Sequence, residues 1–404
     1  MGEELKNLAK VWFIVFASLC YVYFIVSKIS KHRLRLLSLA PIVALFTILP
    51  LYISSIHLCG LTAFFVTWLC SFKLLLFAFN QGPLSSSPLP SLLHFISIAC
   101  LPIKLQSQTS SNQITQKGLK SPLNYAIKAL LLAIVIHIYD YKPYLHQDAI
   151  LALYCCHMYF SAEILLAMST APARAVFGFE IEPHFNEPYL STSLQDFWGK
   201  RWNLMVPSIL RPTVYNPIRY ISNGILGKQC AQLLGVVGTF VVSGLMHELI
   251  YFYFTRVKPT WEVTWFFVLQ GFCLALEIVV KKAVSDKWRL HRVVSGVLTI
   301  GFVVITGFWL FFPQLNMETG LEAKKIKFTV EDDKEWGDEN GDEFEEESYL
   351  FDSVCAICDD GGEILWYVSW FASVCHYLDS ENVALLDVSV HDMKIGRMVQ
   401  IVEN

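Results

Sequence analysis

Charge is scarce in this chain. Asp, Glu, Lys and Arg supply 16% of its 404 residues, against 54% hydrophobic types, and the mean hydropathy is +0.46. A soluble globular domain carries roughly a quarter charged residues, so this composition excludes one and indicates a polytopic membrane protein. Acidic side chains are the scarcest over most of its length: through residue 330 there are 15 Asp and Glu against 28 Lys and Arg, a balance of +13. There is no internal repeat, which excludes a solenoid. There is no GxxxxGK[ST] loop, which removes the P-loop signature of a nucleotide hydrolase. Cysteine is present, but a disulfide framework is not. Eight of the eleven (Cys20, Cys59, Cys70, Cys100, Cys155, Cys156, Cys230 and Cys273) lie in or beside apolar runs, where thiols serve as small buried hydrophobes.

What is present is a succession of apolar runs. Residues 8–26, 34–53, 58–79, 123–141, 148–168, 229–254, 261–280 and 293–312 read as eight spans. The first of them runs directly on into others, as a signal anchor does rather than a cleaved leader. The run 91–103 is too short to cross and reads as re-entrant or interfacial. Lys28, Lys31, Arg33 and Arg35 follow the first span, and the positive-inside rule puts that loop in the cytosol. Parity then assigns the basic segment 169–228 to the cytosol too, with Arg174, Lys200, Arg201, Arg211 and Arg219. The expected fold is an all-α polytopic transmembrane helical bundle.

The sixth run, QCAQLLGVVGTFVVSGLMHELIYFYF, carries His247 and Glu248. Burying an ionisable group there costs several kcal/mol unless it faces protein or water, so by default it marks a working site. The competing reading is a structural histidine bonded to a neighbouring helix. His137 and His157 also lie in spans, and the physics alone leaves all three open. Glu248 points about 100° away from His247 around the helix and is given no catalytic role. At 1.5 Å per residue, a span starting at residue 229 puts His247 roughly 27 Å along it. Such depth requires a later start, a break near Gly235 and Gly238, or a tunnel.

Upstream lies PYLSTSLQDFWGKRWNLMVPSILRPTVYNP, residues 188–217. On a helix Trp198 and Trp202 would share one face, next to Lys200, Arg201 and Asn203. Pattern alone favours an interfacial anchor helix. The combination of QDFWGKRWN with VSGLMHELIYFY some forty residues later resembles the plant wax-synthase branch of the membrane-bound O-acyltransferase superfamily. GLTAFF at 60–65, FKLLLFAFNQGPLSS at 72–86, ARAVFGFEIEPHFNEPYLSTSLQDFWGKRWN at 173–203, ILRPTVYNP at 209–217 and FWLFFPQL at 308–315 extend the likeness across about 8–316. Within that branch the pattern is most similar to the sterol-acylating members.

The resemblance implies an endoplasmic-reticulum enzyme that moves a fatty acyl group from acyl-CoA to the hydroxyl of a sterol or long-chain alcohol. It matches His247 to the superfamily's catalytic histidine and Asn203 to the polar residue of the tryptophan-containing motif. Trp198, Lys200, Arg201 and Trp202 then become candidate substrate contacts. The chemistry fits these residue types. An alcohol attacks only as a base takes its proton, and an ordinary imidazole is mostly neutral at neutral pH. An asparagine amide could donate to the developing oxyanion or orient the substrate. Membrane lipids surround the enzyme. No metal and no cofactor beyond the acyl-CoA co-substrate are expected, and no nucleic acid. A diacylglycerol acyltransferase of the same superfamily is the near alternative. A membrane transporter is the alternative of another class, but it would show more intramembrane charge than Glu163, Glu248 and Glu277, which have no evident partners in sequence.

After about residue 316 the likeness ends. Residues 331–404 hold 20 acidic against 3 basic residues, a balance of −17. The expected division is a membrane acyltransferase domain over 1–316, an acidic disordered linker over 317–352 and a remnant over 353–404. Cys355 and Cys358, followed by DDGGEIL, resemble the opening of a PHD (plant-homeodomain) zinc finger. Such a finger needs seven cysteines and a histidine for its two zincs. Tyr367 and Trp370 stand where the second cysteine pair belongs, and only Cys375, His376 and His391 follow. The remnant is therefore expected to hold no zinc, and the expected source of the residues after about 316 is a neighbouring gene, joined by a gene-model error or read-through.

Overall fold

The computed structural model describes residues 2–86, 89–104, 122–178, 181–284 and 290–313. The acidic stretch and the PHD-like remnant lie outside the described residues. The described chain is all-α and contains no strand. Eight of its helical segments are long and apolar enough to cross a membrane, in agreement with the eight runs of the sequence.

The first half builds one wall. α1 (Gly2–Phe24) and α2 (His32–Ile48) form a helical hairpin. α3 (Ile56–Thr62) and α4 (Ser71–Ala78) are joined into one rod by a π-helical stretch, Ala63–Cys70. Their packed core includes Val15, Leu19, Phe46, Cys70 and Leu74, all within 1% of complete burial. Because the surrounding solvent is lipid, polar groups pin this wall more specifically than apolar contact does. Arg35 donates to the carbonyls of Ile29 and Phe77, at 2.6 to 3.0 Å, and to the side chain of Asn80. Lys73 donates to the carbonyls of Ile98 and Leu101, both at 2.6 Å, clamping the end of α5 (Leu92–Cys100). That nine-residue helix is too short to cross, as expected of the run 91–103.

α6 (Pro122–Ile138) and α7 (Gln147–Phe177) form a second hairpin. Glu163 has no evident partner in sequence, but in the fold Lys128 bonds both of its carboxylate oxygens, at 2.7 and 2.8 Å, with both side chains buried. The chain then passes through α8 (Leu194–Asp196) and α9 (Met205–Leu210) into α10 (Asn216–Thr255), α11 (Glu262–Ala283) and α12 (Arg292–Leu310).

α10 does not shorten the path to His247. Its helical path is interrupted at Gly227, where φ is 77° and ψ 166°, a conformation open to glycine. The segment before this turn packs back on the segment after it, with Tyr215 against Gly235 and Ile218 against Gly238. These two glycines are thus a contact face inside a regular helix, and the break lies at Gly227. A second close approach joins α10 to α11. A Cβ on Gly244 would stand 3.0 Å from the Thr264 Cα, so any side chain there would press on the α11 backbone. Glu248, next to His247, turns to this interface and accepts from Trp261 N, Thr264 N and the Thr264 hydroxyl, at 2.9 to 3.2 Å.

Candidate active site

The helices enclose a cavity of about 740 Å³, a size that suits a large ligand. Its wall is mostly apolar, with contributions from α7, α9, α10, α11, α12 and the π-helical stretch around Trp68. Three π-helical segments are found among the described residues: Ala63–Cys70, Phe197–Arg201 and Arg211–Tyr215. All three place residues on this wall. Such segments are rare and concentrate at functional sites.

His247 lies on the wall one helical turn after Ser243. Its Nδ1 is 2.7 Å from the Ser243 carbonyl oxygen. A carbonyl only accepts, so Nδ1 carries the proton and donates, leaving a lone pair on Nε2. Nε2 has no hydrogen-bond partner among the described residues. The ring is held between Phe267 (4.3 Å between centroids), Trp68 (5.8 Å) and Phe311 (6.1 Å). The resulting site offers a neutral imidazole with a free acceptor nitrogen, fixed by aromatic packing inside an apolar chamber. Its depth is met by a cavity that reaches it.

Asn203 also lines the cavity. It closes the motif segment with φ at 37°, a left-handed conformation that asparagine tolerates better than most residues. The turn is held by Leu204 N donating to the His184 carbonyl at 2.7 Å. The His184 Nε2 donates in turn to the Pro102 carbonyl at 2.7 Å, and burial pushes its pKa below the usual histidine value. The Asn203 Oδ1 is buried with no partner. An unmet buried acceptor costs about 1–3 kcal/mol, a cost that a bound donor would remove.

Trp198 and Trp202 both reach the wall, although not as the shared α-helical face expected from spacing. The backbone between them is π-helical, and Trp202 leaves it in an extended conformation. Trp198 donates from Nε1 to Gln270 Oε1 at 3.1 Å, and Gln270 Nε2 donates to Thr306 at 2.8 Å. This chain links the motif to α11 and α12. Trp202 stacks on Phe197, 5.4 Å between centroids. Glu277 of α11 caps the motif's start, accepting from Leu194 N at 2.7 Å while pairing with Lys281 at the same distance.

The two basic residues of the motif stand elsewhere. Lys200 is exposed and off the wall. Arg201 pairs with Asp196 at 2.7 Å and donates to the carbonyls of Asn186 and Glu187, bracing the loop. Arg211, an exposed residue, is instead the arginine that borders the cavity. His137 is exposed and pairs with Asp140 at 2.9 Å. His157 lies 3.3 Å from the Tyr139 hydroxyl, and neither of these histidines lines the cavity. Trp68 and Tyr159, two more aromatic positions in apolar runs, and Gln270, a lone uncharged amide within one, go unmarked in the sequence until the fold assembles them.

Comparison with known proteins identifies the family. Residues 181–269 match the model of the membrane bound O-acyl transferase family. The chain is 47% identical over 318 residues to acyl-CoA–sterol O-acyltransferase 1 of Arabidopsis thaliana, covering 77% of this chain and 91% of that protein. It is 49% identical over 331 residues to a long-chain-alcohol O-fatty-acyltransferase of Simmondsia chinensis, covering 80% and 93%. A probable long-chain-alcohol O-fatty-acyltransferase 1 of Arabidopsis thaliana is 48% identical over 319 residues, covering 78% and 92%. With its eight apolar helices and its histidine-lined chamber, the chain belongs to the membrane-bound O-acyltransferase family.

Proposed function

We propose that this protein transfers a long-chain fatty acyl group from acyl-CoA to the hydroxyl of a sterol or long-chain alcohol in the endoplasmic-reticulum membrane. The observation that carries the reading is His247, which lines a large apolar chamber and holds its proton on Nδ1, leaving Nε2 able to accept one. In this mechanism the alcohol oxygen attacks the thioester carbon while Nε2 takes the hydroxyl proton. The carbonyl electron pair moves onto oxygen. On collapse the carbonyl reforms, the C–S bond breaks, and the departing thiolate takes the proton from His247. The products are one ester and one CoA thiol.

Asn203 is the polar partner. Its free Oδ1 suits a donor, either the alcohol hydroxyl or an amide N–H of the CoA arm. Trp198 and Trp202 form the wall along the acyl group. Arg211 is the basic residue on that wall besides His247 among the described residues, and its guanidinium suits a CoA phosphate. Lys200, exposed on the same segment, is a more distant candidate for such a contact.

The acceptor is tested by expressing the chain in yeast without its own sterol acyltransferases and supplying sterols, fatty alcohols or diacylglycerol. Sterol or wax esters are the expected products. Triacylglycerol as the main product would move the protein to the diacylglycerol class.

A further inference from the structure

Two residues of the cavity wall each carry a buried polar atom without a partner: Asn203 at Oδ1 and Trp68 at Nε1. They are chemically opposite, since the first can only accept and the indole N–H can only donate. Trp68 is 3% exposed. It sits in the π-helical stretch Ala63–Cys70, and its ring meets that of His247 edge-on at 5.8 Å. A buried donor with no acceptor costs about 1–3 kcal/mol, a cost that a bound acceptor beside His247 would remove. Phe64, its other ring neighbour at 5.2 Å, offers no acceptor atom.

We propose that Trp68 is a further catalytic residue, whose indole N–H donates to the carbonyl oxygen of the acyl thioester and holds the oxyanion formed on attack. This rests on the acyl-transfer reading. Attack on the carbonyl carbon displaces its π pair onto oxygen, so a donor fixed beside the base favours the transition state over the ground state. Asn203 Oδ1, an acceptor, is unsuited to that charge. The two free atoms thus divide the reaction between them: Trp68 takes the oxygen that becomes negative, and Asn203 takes a group that brings a proton.

The test uses the full-length protein with two unreactive acyl-CoA analogues: a ketone that keeps the carbonyl and replaces sulfur by CH₂, and a thioether that lacks the carbonyl oxygen. Wild type should bind the ketone up to about tenfold more tightly, as one hydrogen bond allows. Trp68→Phe keeps an aromatic ring without the donor. It should abolish that preference and lower kcat by about 10²–10³-fold. Trp68→His, which retains a ring N–H, should recover part of both. The affinity ratio does not depend on how much of each variant folds, so a loss of abundance alone does not produce the expected result. His247→Ala should lose turnover yet keep the preference, which separates this proposal from the assignment of the base. An unchanged ratio in Trp68→Phe, or no preference in wild type, overturns it.

Discussion

Asn203 shows how a residue can be legible in sequence while its reason is not. Its place after QDFWGKRW marked it as a polar partner, but nothing in the string indicated a left-handed backbone. With φ at 37°, alanine would add backbone strain of about 1–2 kcal/mol to the loss of the amide. Asn203→Asp and Asn203→Gly are therefore the cleaner pair, since both tolerate this conformation. Asn203→Asp keeps oxygen acceptors and should retain more turnover than Asn203→Gly, with both proteins near wild-type abundance. Equal turnover in the two would remove the role given to Oδ1. Arg201 was misleading for a related reason. Its partner Asp196 is five residues away, a spacing that suits a π-helical turn rather than the three or four of an α-helix. An ion pair was therefore not evident, and the guanidinium looked free for substrate.

At the level of elements, every apolar run of the right length became a helix, and 91–103 became the short one it was expected to be. The pairing of charges between helices was hidden, because partners 35 residues apart share no local pattern. Lys128 and Glu163 illustrate the energetics. Both are buried between α6 and α7, and removing one partner strands the other charge at a cost of about 3–5 kcal/mol. Lys128→Met alone should lower the thermal midpoint of the detergent-solubilised protein sharply. The double variant Lys128→Met with Glu163→Leu should recover most of that loss, since a buried ion pair and an apolar pair of similar size are often equivalent. A double variant as unstable as the single one would show that the pair sets the geometry of this hairpin. The same lesson holds for α10, whose glycines at 235 and 238 read as a weak point but serve as a surface on which Tyr215 and Ile218 rest.

On the scale of the whole molecule, the chamber and its candidate residues fall between residues 68 and 312, within the membrane domain read from the sequence. The acidic part beginning at Glu331 lies outside the described residues. A chain ending at residue 330 should thus esterify at a rate within about twofold of full length, well inside the factor of ten that 1.4 kcal/mol would represent. A complete loss would give the tail a part in the reaction. What joins fold to function is one imidazole with a free nitrogen in an apolar chamber, and its removal is the most direct test. The initial rate of ester formation from labelled acyl-CoA should be measured for purified wild type and His247→Ala at equal protein. A fall of at least about 10²-fold, the usual contribution of a positioned base, is the expected result; a rate close to wild type would contradict the account.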